Sequence, residues 1–143
     1  MQQEVALAML QRDDRWLLQL RDDIDTIIYP GHWGLFGGHL DPGETPVQAL
    51  MRELQEEIDW APVTPPPLWF SDDSGSRVVH VFRGHLSVPI TRLTLLEGQE
   101  LTLASREQLS RGLIWSETCG EQRPVAPGLQ IVVARLLRES DEL

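Results

Sequence analysis

The segment from Gly38 to Trp60 constrains the fold more than any other part of the chain, because it predicts a loop followed by a capped amphipathic helix. Thr45 supplies an N-cap hydroxyl, Pro46 suits the first helical position, and Gln48 completes a capping box. Apolar residues then recur at helical spacing and form one stripe: Val47, Leu50, Met51, Leu54 and Ile58. We expect this stripe to anchor the helix to the rest of the fold.

A neighbouring face of the predicted helix carries three glutamates, Glu53, Glu56 and Glu57. Like charges at these spacings repel one another, and Arg52 alone cannot neutralise three carboxylates. A hard divalent cation is the better candidate, since Mg2+ and Mn2+ prefer carboxylate oxygen and keep water ligands for a phosphate substrate. A solvated acidic face is the ordinary explanation of clustered glutamates. The glycine loop and Arg52, in register with the three acids, favour metal over that explanation.

The loop before the helix contains Gly37, Gly38 and Gly43, which suit unusual backbone angles and a close approach to a ligand. It delivers Glu44 to the start of the helix. The whole spacing, G-x5-E-x7-R-E-U-x-E-E with U a bulky apolar residue, resembles the Nudix box at every charged position. The segment departs from the Nudix signature at Asp59, where a Gly is usual. Phe36, just before the paired glycines, is also unusual, because a Pro is frequent there. Asp tolerates a left-handed helix exit, so Asp59 affects the helix end more than the chemistry.

The resemblance implies a Nudix pyrophosphohydrolase with an α/β fold, the Nudix α/β/α sandwich with a mixed central sheet. In that family the loop and helix hold metal, here Mg2+ or Mn2+, against a diphosphate. The implied site residues are metal ligands Glu53, Glu56, Glu57 and Glu97, a phosphate loop of Gly37 and Gly38 with Glu44 as support or outer ligand, and Arg52 orienting a neighbouring glutamate. Glu57, Glu56 and Glu97 compete for the role of general base.

Glu97 enters through a second, weaker similarity. The step Glu97-Gly98-Gln99 resembles mutator-type members of the family that hydrolyse oxidised dGTP. An ordinary turn explains the same residues equally well, and Glu100 takes the place of Glu97 if the register shifts.

The substrate is less constrained than the reaction. By resemblance, Arg21 lies where mutator-type members keep a nucleotide-binding arginine, and His39 lies in the loop within reach of phosphate. Trp33 and Tyr29 offer faces for a base to stack on, although a core position suits Trp33 equally well. The Asn with which those members read the oxidised purine has no counterpart before the last helix. Sugar nucleotides, dinucleotides and noncanonical nucleoside triphosphates all remain candidates.

Two other classes of function are alternatives to a hydrolase. A nucleotide-sensing module without catalysis is expected to lose box glutamates, and none is lost here. An isopentenyl diphosphate isomerase relies on a cysteine and a variant box, whereas Cys119 lies far downstream of an intact box. Both are disfavoured relative to a hydrolase.

Length and composition predict one domain over residues 1–143. A net charge of −10 argues against nucleic acid and anionic membranes as partners. The family resemblance implies a small-molecule nucleotide as the partner. Cys119 is the only cysteine, and the start of the chain lacks the basic flank of a signal peptide, so we expect a cytoplasmic location. A homodimer is compatible with the family, although no residue demands one.

Periodicity and turn residues predict mixed α and β structure. The predicted strands are Glu4–Gln11, Trp16–Arg21, 33–36, Leu68–Ser71 and Val78–Val88, and short extended pieces are expected over Leu93–Leu96 and Leu101–Ala104. A connection is expected over Asp22–Tyr29, a proline-rich loop over Ala61–Pro67, a short helix from Ser105 to Leu109, and a last helix over Leu129–Arg138.

Overall fold

A computed structural model describes residues 3–24 and 29–141 of the chain, with side chains through residue 139. Within those ranges the strands are β1 (Gln3–Arg12), β2 (Arg15–Leu20), β3 (Trp33–Gly34), β4 (Phe36–His39), β5 (Leu68–Asp72), β6 (Arg77–His85), β7 (Glu100–Ser105), β8 (Leu113–Ser116) and β9 (Glu121–Pro124). The helices are α1 (Pro46–Ile58), α2 (Arg106–Arg111) and α3 (Pro127–Asp141).

The central sheet is mixed and is built around β1. Strand β1 pairs antiparallel with β2 and β4 and parallel with β6, while β5 continues the sheet beyond β6. Strand β2 also pairs with β3 and β7. Strands β8 and β9 form a separate hairpin.

Each face of the sheet is covered by helix, as the alternation of side chains along β1 requires. Ala6, Ala8 and Leu10 pack on the side of α1, with the buried α1 residues Ala49, Leu50, Leu54 and Ile58. Met9 points to the opposite side, where it packs with buried residues of α2 and α3, namely Leu109, Leu129, Val132, Val133 and Leu136. The predicted α/β/α sandwich is confirmed.

Helix α1 begins and ends as the sequence predicts. The Thr45 hydroxyl accepts from the Gln48 N–H at 3.3 Å, and the Gln48 side chain accepts from the Thr45 N–H at 2.9 Å. Asp59 caps the other end in the left-handed region, with φ 52° and ψ 39°. Asp59 therefore adopts the left-handed conformation that a Gly usually adopts at the end of a helix.

Other predicted elements differ in detail. Of the two predicted extended pieces, Leu101–Ala104 lies within β7, whereas residues 93–96 follow a 3-10 turn over Ile90–Arg92 and join no strand. The predicted strand over 33–36 is divided into β3 and β4, and the hairpin of β8 and β9 was missed. Residues 25–28 of the predicted Asp22–Tyr29 connection lie outside the described residues. None of the described helices combines the length and hydropathy that crossing a bilayer requires.

Candidate active site

Helix α1 presents Glu53 and Glu57 one turn apart, next to the glycines of β4. Glu57 is almost fully buried, with 3% of its surface exposed, although it is ionisable. Its carboxylate accepts a hydrogen bond from the Gly37 N–H at 2.8 Å. Burial at this position follows from the apolar stripe, because the residue lies between that stripe and the acidic face of the helix.

The irregular segment before β7 brings a third carboxylate to this place. The N–H of Leu96 donates to the Glu57 carbonyl at 2.8 Å, and the N–H of Thr94 donates to the Ile58 carbonyl at 3.1 Å. These bonds satisfy carbonyls that the end of α1 leaves without helical partners. Gln19 then donates from its side-chain amide to the Glu97 carbonyl at 2.9 Å. As a result, carboxylate oxygens of Glu53, Glu57 and Glu97 lie within 4.8 Å of one another.

Burial and mutual repulsion determine the electrostatics of the three acids. Burial, and after it the carboxylates of Glu53 and Glu97, raise the pKa of Glu57 to about 8 against the opposing Gly37 N–H. Burial also raises the pKa of Glu53, although hydrogen bonding to Arg52 acts the other way. Three carboxylates this close need either protons or added positive charge. An oxygen-only donor set of this kind fits a hard divalent cation such as Mg2+.

Arg52 ties the loop to the helix. Its Nε and one terminal nitrogen form a bidentate pair with Glu44 at 2.8 and 2.9 Å. Its other terminal nitrogen donates to Glu53 at 3.0 Å and to Glu56 at 3.2 Å. The ion pair and the Asp41 N–H, which donates to Glu44, hold the pKa of Glu44 at about 2. This network fixes the orientation of Glu53.

Glu56 lies outside the group of three acids. Its side chain is 58% exposed and is paired with Arg52. Binding metal through Glu56 would require that side chain to leave Arg52. Glu44 likewise belongs to the arginine network and supports the loop.

The two glycines of β4 allow close approach of backbone and side chains. Gly37 has φ +136°, and a Cβ there would overlap the Ala6 carbonyl oxygen. A Cβ on Gly38 would lie 2.6 Å from the carboxyl carbon of Glu53. Gly38 therefore makes room for the Glu53 carboxylate.

The three acids open into a cavity of about 520 Å³. Its other lining residues include Val5, Leu7, Gln19, Arg21, Asp22, Tyr29, Leu35, Gly37, Gly38, His39, Arg77, Ala126 and Leu129. The structure thus brings the predicted Arg21 and His39 to the same cavity as the acids. A volume of this size suits a small-molecule ligand.

Trp33 does not line this cavity, and its predicted stacking role is corrected. The side chain is fully buried, and its indole N–H donates to the Ile114 carbonyl at 3.0 Å. An indole enclosed in the core offers no face to a base.

Gln19 and Arg77 were missed by sequence reasoning, although Gln19 carried a signal. It is the one polar residue in the apolar run of β2 from Trp16 to Leu20, and it is buried. A buried amide needs hydrogen-bond partners, and the Glu97 carbonyl is one of them. Arg77 begins β6 and carried no comparable signal.

The α/β/α sandwich and its acidic site indicate a class of protein, and comparison of the sequence with known families identifies that class. The sequence matches the profile of the NUDIX domain over residues 1–115, and the chain therefore belongs to the NUDIX family. Nucleoside triphosphatase NudI from Escherichia coli O1:K1 is 38% identical over 77 residues, which make up 50% of this chain and 52% of NudI. The chain spans about half the length of the curated relatives it matches.

Solved structures agree with this fold. The MutT NUDIX hydrolase from Burkholderia pseudomallei has a TM-score of 0.70 at 20% identity, with 94% of this chain and 97% of that chain covered. The NUDIX domain of Shewanella oneidensis NrtR, solved with ADP ribose, has a TM-score of 0.70 at 17% identity, with 97% and 88% covered. These identities are low, so the likeness establishes the fold alone.

Without divalent metal, the stability of the protein is expected to fall as the pH rises from 5 to 8. The pKa of Glu57 is about 8 in the folded state and 4.5 ordinarily, so the folded state binds more protons between these values. Linkage then lowers the free energy of unfolding with rising pH, by on the order of 3–5 kcal/mol in total. Melting temperatures in EDTA should show this decrease.

Two controls identify the group responsible. Glu57→Gln should flatten the decrease, because it removes the titrating group. Mg2+ should raise the melting temperature more at pH 8 than at pH 5, since protons compete with metal for carboxylates. Glu44 titrates far below this range and does not contribute. A decrease of equal size in Glu57→Gln contradicts the assignment.

Proposed function

We propose that this protein hydrolyses a diphosphate bond in a nucleoside diphosphate linked to another moiety, using Mg2+ or Mn2+. The observation that carries the proposal is the group of three carboxylates within 4.8 Å beside the glycine loop, in a cavity large enough for a nucleotide. Membership of the NUDIX family supports it. The residues proposed to hold the ions are Glu53, Glu57 and Glu97.

Bound divalent ions would neutralise phosphoryl oxygens and lower the pKa of the attacking water. The water oxygen forms a bond to phosphorus, the bridging P–O bond breaks, and a glutamate accepts the proton of the water. Glu97 is the candidate that fits this role best, because its side chain is exposed at the cavity while Glu57 is buried and bound to the Gly37 N–H. Glu56 fits it least, because Arg52 holds it outside the group.

Nucleoside triphosphates are the first candidate class of substrate, and the name of a sequence relative supports them. NudI, a relative that is 38% identical over 77 residues, is named a nucleoside triphosphatase. The NrtR domain with ADP ribose keeps nucleoside diphosphate sugars as a second candidate class. The organisation of residues 1–143 as one domain, a cytoplasmic location and a homodimer stay predictions from the sequence.

A panel of nucleoside triphosphates, sugar nucleotides and dinucleotides tests the proposal, with Mg2+ or Mn2+ and products identified by mass. We expect metal-dependent release of a nucleoside monophosphate with pyrophosphate or with a second phosphate compound. Reaction in 18O-labelled water identifies which phosphorus is attacked. Binding of nucleotides without cleavage would instead support the sensing module, and rearrangement of isopentenyl diphosphate without phosphate release would support the isomerase.

A further inference from the structure

Tyr29 lines the cavity that contains the three acids. Trp33, the other aromatic residue considered for base stacking, is buried. We propose that the substrate's nucleobase stacks on the phenol ring of Tyr29, which makes Tyr29 a substrate-binding residue of this protein. The inference rests on the proposed function, since it needs a nucleotide in the cavity. Three features of the described residues carry it: backbone conformation, support of the turn, and composition of the cavity wall.

The backbone of Tyr29 is in an unfavourable conformation. Its φ is +53°, in the left-handed region that bulky side chains rarely adopt. The residue is nevertheless 43% exposed, so burial of the ring does not compensate for this conformation. Strained residues of this kind persist where the surrounding structure holds them, and they cluster at ligand sites.

The turn that follows Tyr29 is held from two sides. The N–H of Gly31 donates to the Asp22 carbonyl at 3.2 Å, and Arg123 Nε donates to the Gly31 carbonyl at 2.8 Å. The ring of His32 lies 5.7 Å from that of Tyr29, centroid to centroid. The guanidinium of Arg123 also fills the space that a Cβ on Gly31 would need. Tyr29 is therefore presented by a fixed turn.

The wall of the cavity suits a flat apolar group with polar edges. Leu7, Leu35, Ala126 and Leu129 supply apolar surface, while Arg21 and Arg77 supply hydrogen-bond donors. The aromatic rings among the described lining residues are those of Tyr29 and His39, and His39 belongs to the loop beside the acids. Tyr29 is thus the lining aromatic residue, among those described, that does not belong to the phosphate loop. A nucleobase combines an apolar face and polar edges in this way.

Two substitutions separate the ring from the backbone conformation. Tyr29→Asn removes the ring but keeps a residue that tolerates the left-handed region, whereas Tyr29→Phe keeps the ring. With the nucleoside triphosphate that the panel shows to be hydrolysed fastest, we expect Tyr29→Asn to raise KM by about 10-fold or more with kcat changed less than about 3-fold. Tyr29→Phe should stay within about 3-fold of the wild type in both. Equal KM in Tyr29→Asn and the wild type overturns the proposal.

A spectroscopic test reads the contact itself, because Tyr29 is the only tyrosine in the chain. Protein containing 3-fluorotyrosine gives one 19F signal from this residue. In Mg2+, the α,β-methylene analogue of that same nucleoside triphosphate should shift the signal through the ring current of the base. Methylenediphosphonate, which has no base, should leave it in place.

The two proposals fail in different ways. If the nucleotide is hydrolysed but its analogue and methylenediphosphonate affect the 19F signal equally, base stacking on Tyr29 is wrong and the proposed function stands. If no member of the panel is hydrolysed, the proposed function fails and this inference fails with it. A shift confined to the nucleotide analogue, together with the KM effect, supports both.

Discussion

Glu57→Gln is expected to lower kcat by at least about 100-fold, with the fold intact. The substitution removes a negative charge from a group of three carboxylates whose oxygens lie within 4.8 Å of one another. A neutral amide binds a divalent cation poorly. Gln keeps an oxygen that can accept the hydrogen bond from Gly37, so the loop retains its support.

Glu56→Gln is the matched control for this prediction. It makes the same change of charge on the same helix, but at a side chain that is 58% exposed and paired with Arg52. We expect kcat within about 5-fold of the wild type, because an exposed ion pair contributes little. Initial rates at saturating nucleotide and Mg2+, with melting temperatures in EDTA, provide the comparison. Near-normal turnover in Glu57→Gln, or equal losses in both variants, would rule out the assigned group of three acids.

Glu53→Gln extends the comparison within the group. Arg52 orients the carboxylate of Glu53 through a hydrogen bond. The carboxylate can occupy its position because Gly38 has no Cβ. Its loss should also reduce kcat by orders of magnitude, and isothermal titration should show weaker Mg2+ binding. A normal Mg2+ affinity in this variant would exclude Glu53 as a ligand.

The helix of the site was predictable because its signals are local. Thr45, Pro46 and Gln48 determine where α1 begins, and the capping box forms as its sequence indicates. Asp59 determines where the helix ends, through a left-handed conformation that Asp tolerates. Side chains at i and i+4 on a helix share a face whatever the rest of the fold does. Glu53 and Glu57 could therefore be placed together from spacing alone.

The remaining parts of the site depend on contacts between distant residues, which spacing does not determine. Glu97 reaches Glu57 because the backbone of residues 94–96 hydrogen-bonds to the end of α1, whereas the sequence pattern predicted only a short extended piece there. Trp33 and Tyr29 are equally plausible aromatic residues in the sequence, and tertiary packing buries the first while leaving the second half exposed. Arg77 joins the cavity through the parallel pairing of β6 with β1.

Gly38→Ala is expected to abolish most activity by displacing Glu53, a proposed metal ligand, while leaving the helix in place. The added Cβ would lie 2.6 Å from the carboxyl carbon of Glu53, closer than real Cβ contacts allow. Glu53 would then rotate away from Glu57 and Glu97, with loss of its hydrogen bond from Arg52. We expect kcat/KM to fall by about 100-fold or more, since a small displacement in a preorganised site is costly. Mg2+ affinity, measured by isothermal titration, should fall in parallel.

Two further glycines separate this effect from general damage to the sheet. Gly34→Ala should leave folding and Mg2+ affinity nearly unchanged, because its Cβ meets nothing within 4 Å and its φ lies outside the left-handed region. Gly34 also lines the cavity, so this control is read by stability and Mg2+ affinity and not by turnover. Gly37→Ala should lower the stability of the folded protein, because the φ of Gly37 is +136° and the new Cβ would overlap the Ala6 carbonyl oxygen. Gly38→Ala should resemble neither control: folded by circular dichroism, yet weak in Mg2+ binding and slow in turnover. If Gly38→Ala binds Mg2+ normally and still loses activity, the glycine acts on the phosphate and not through Glu53.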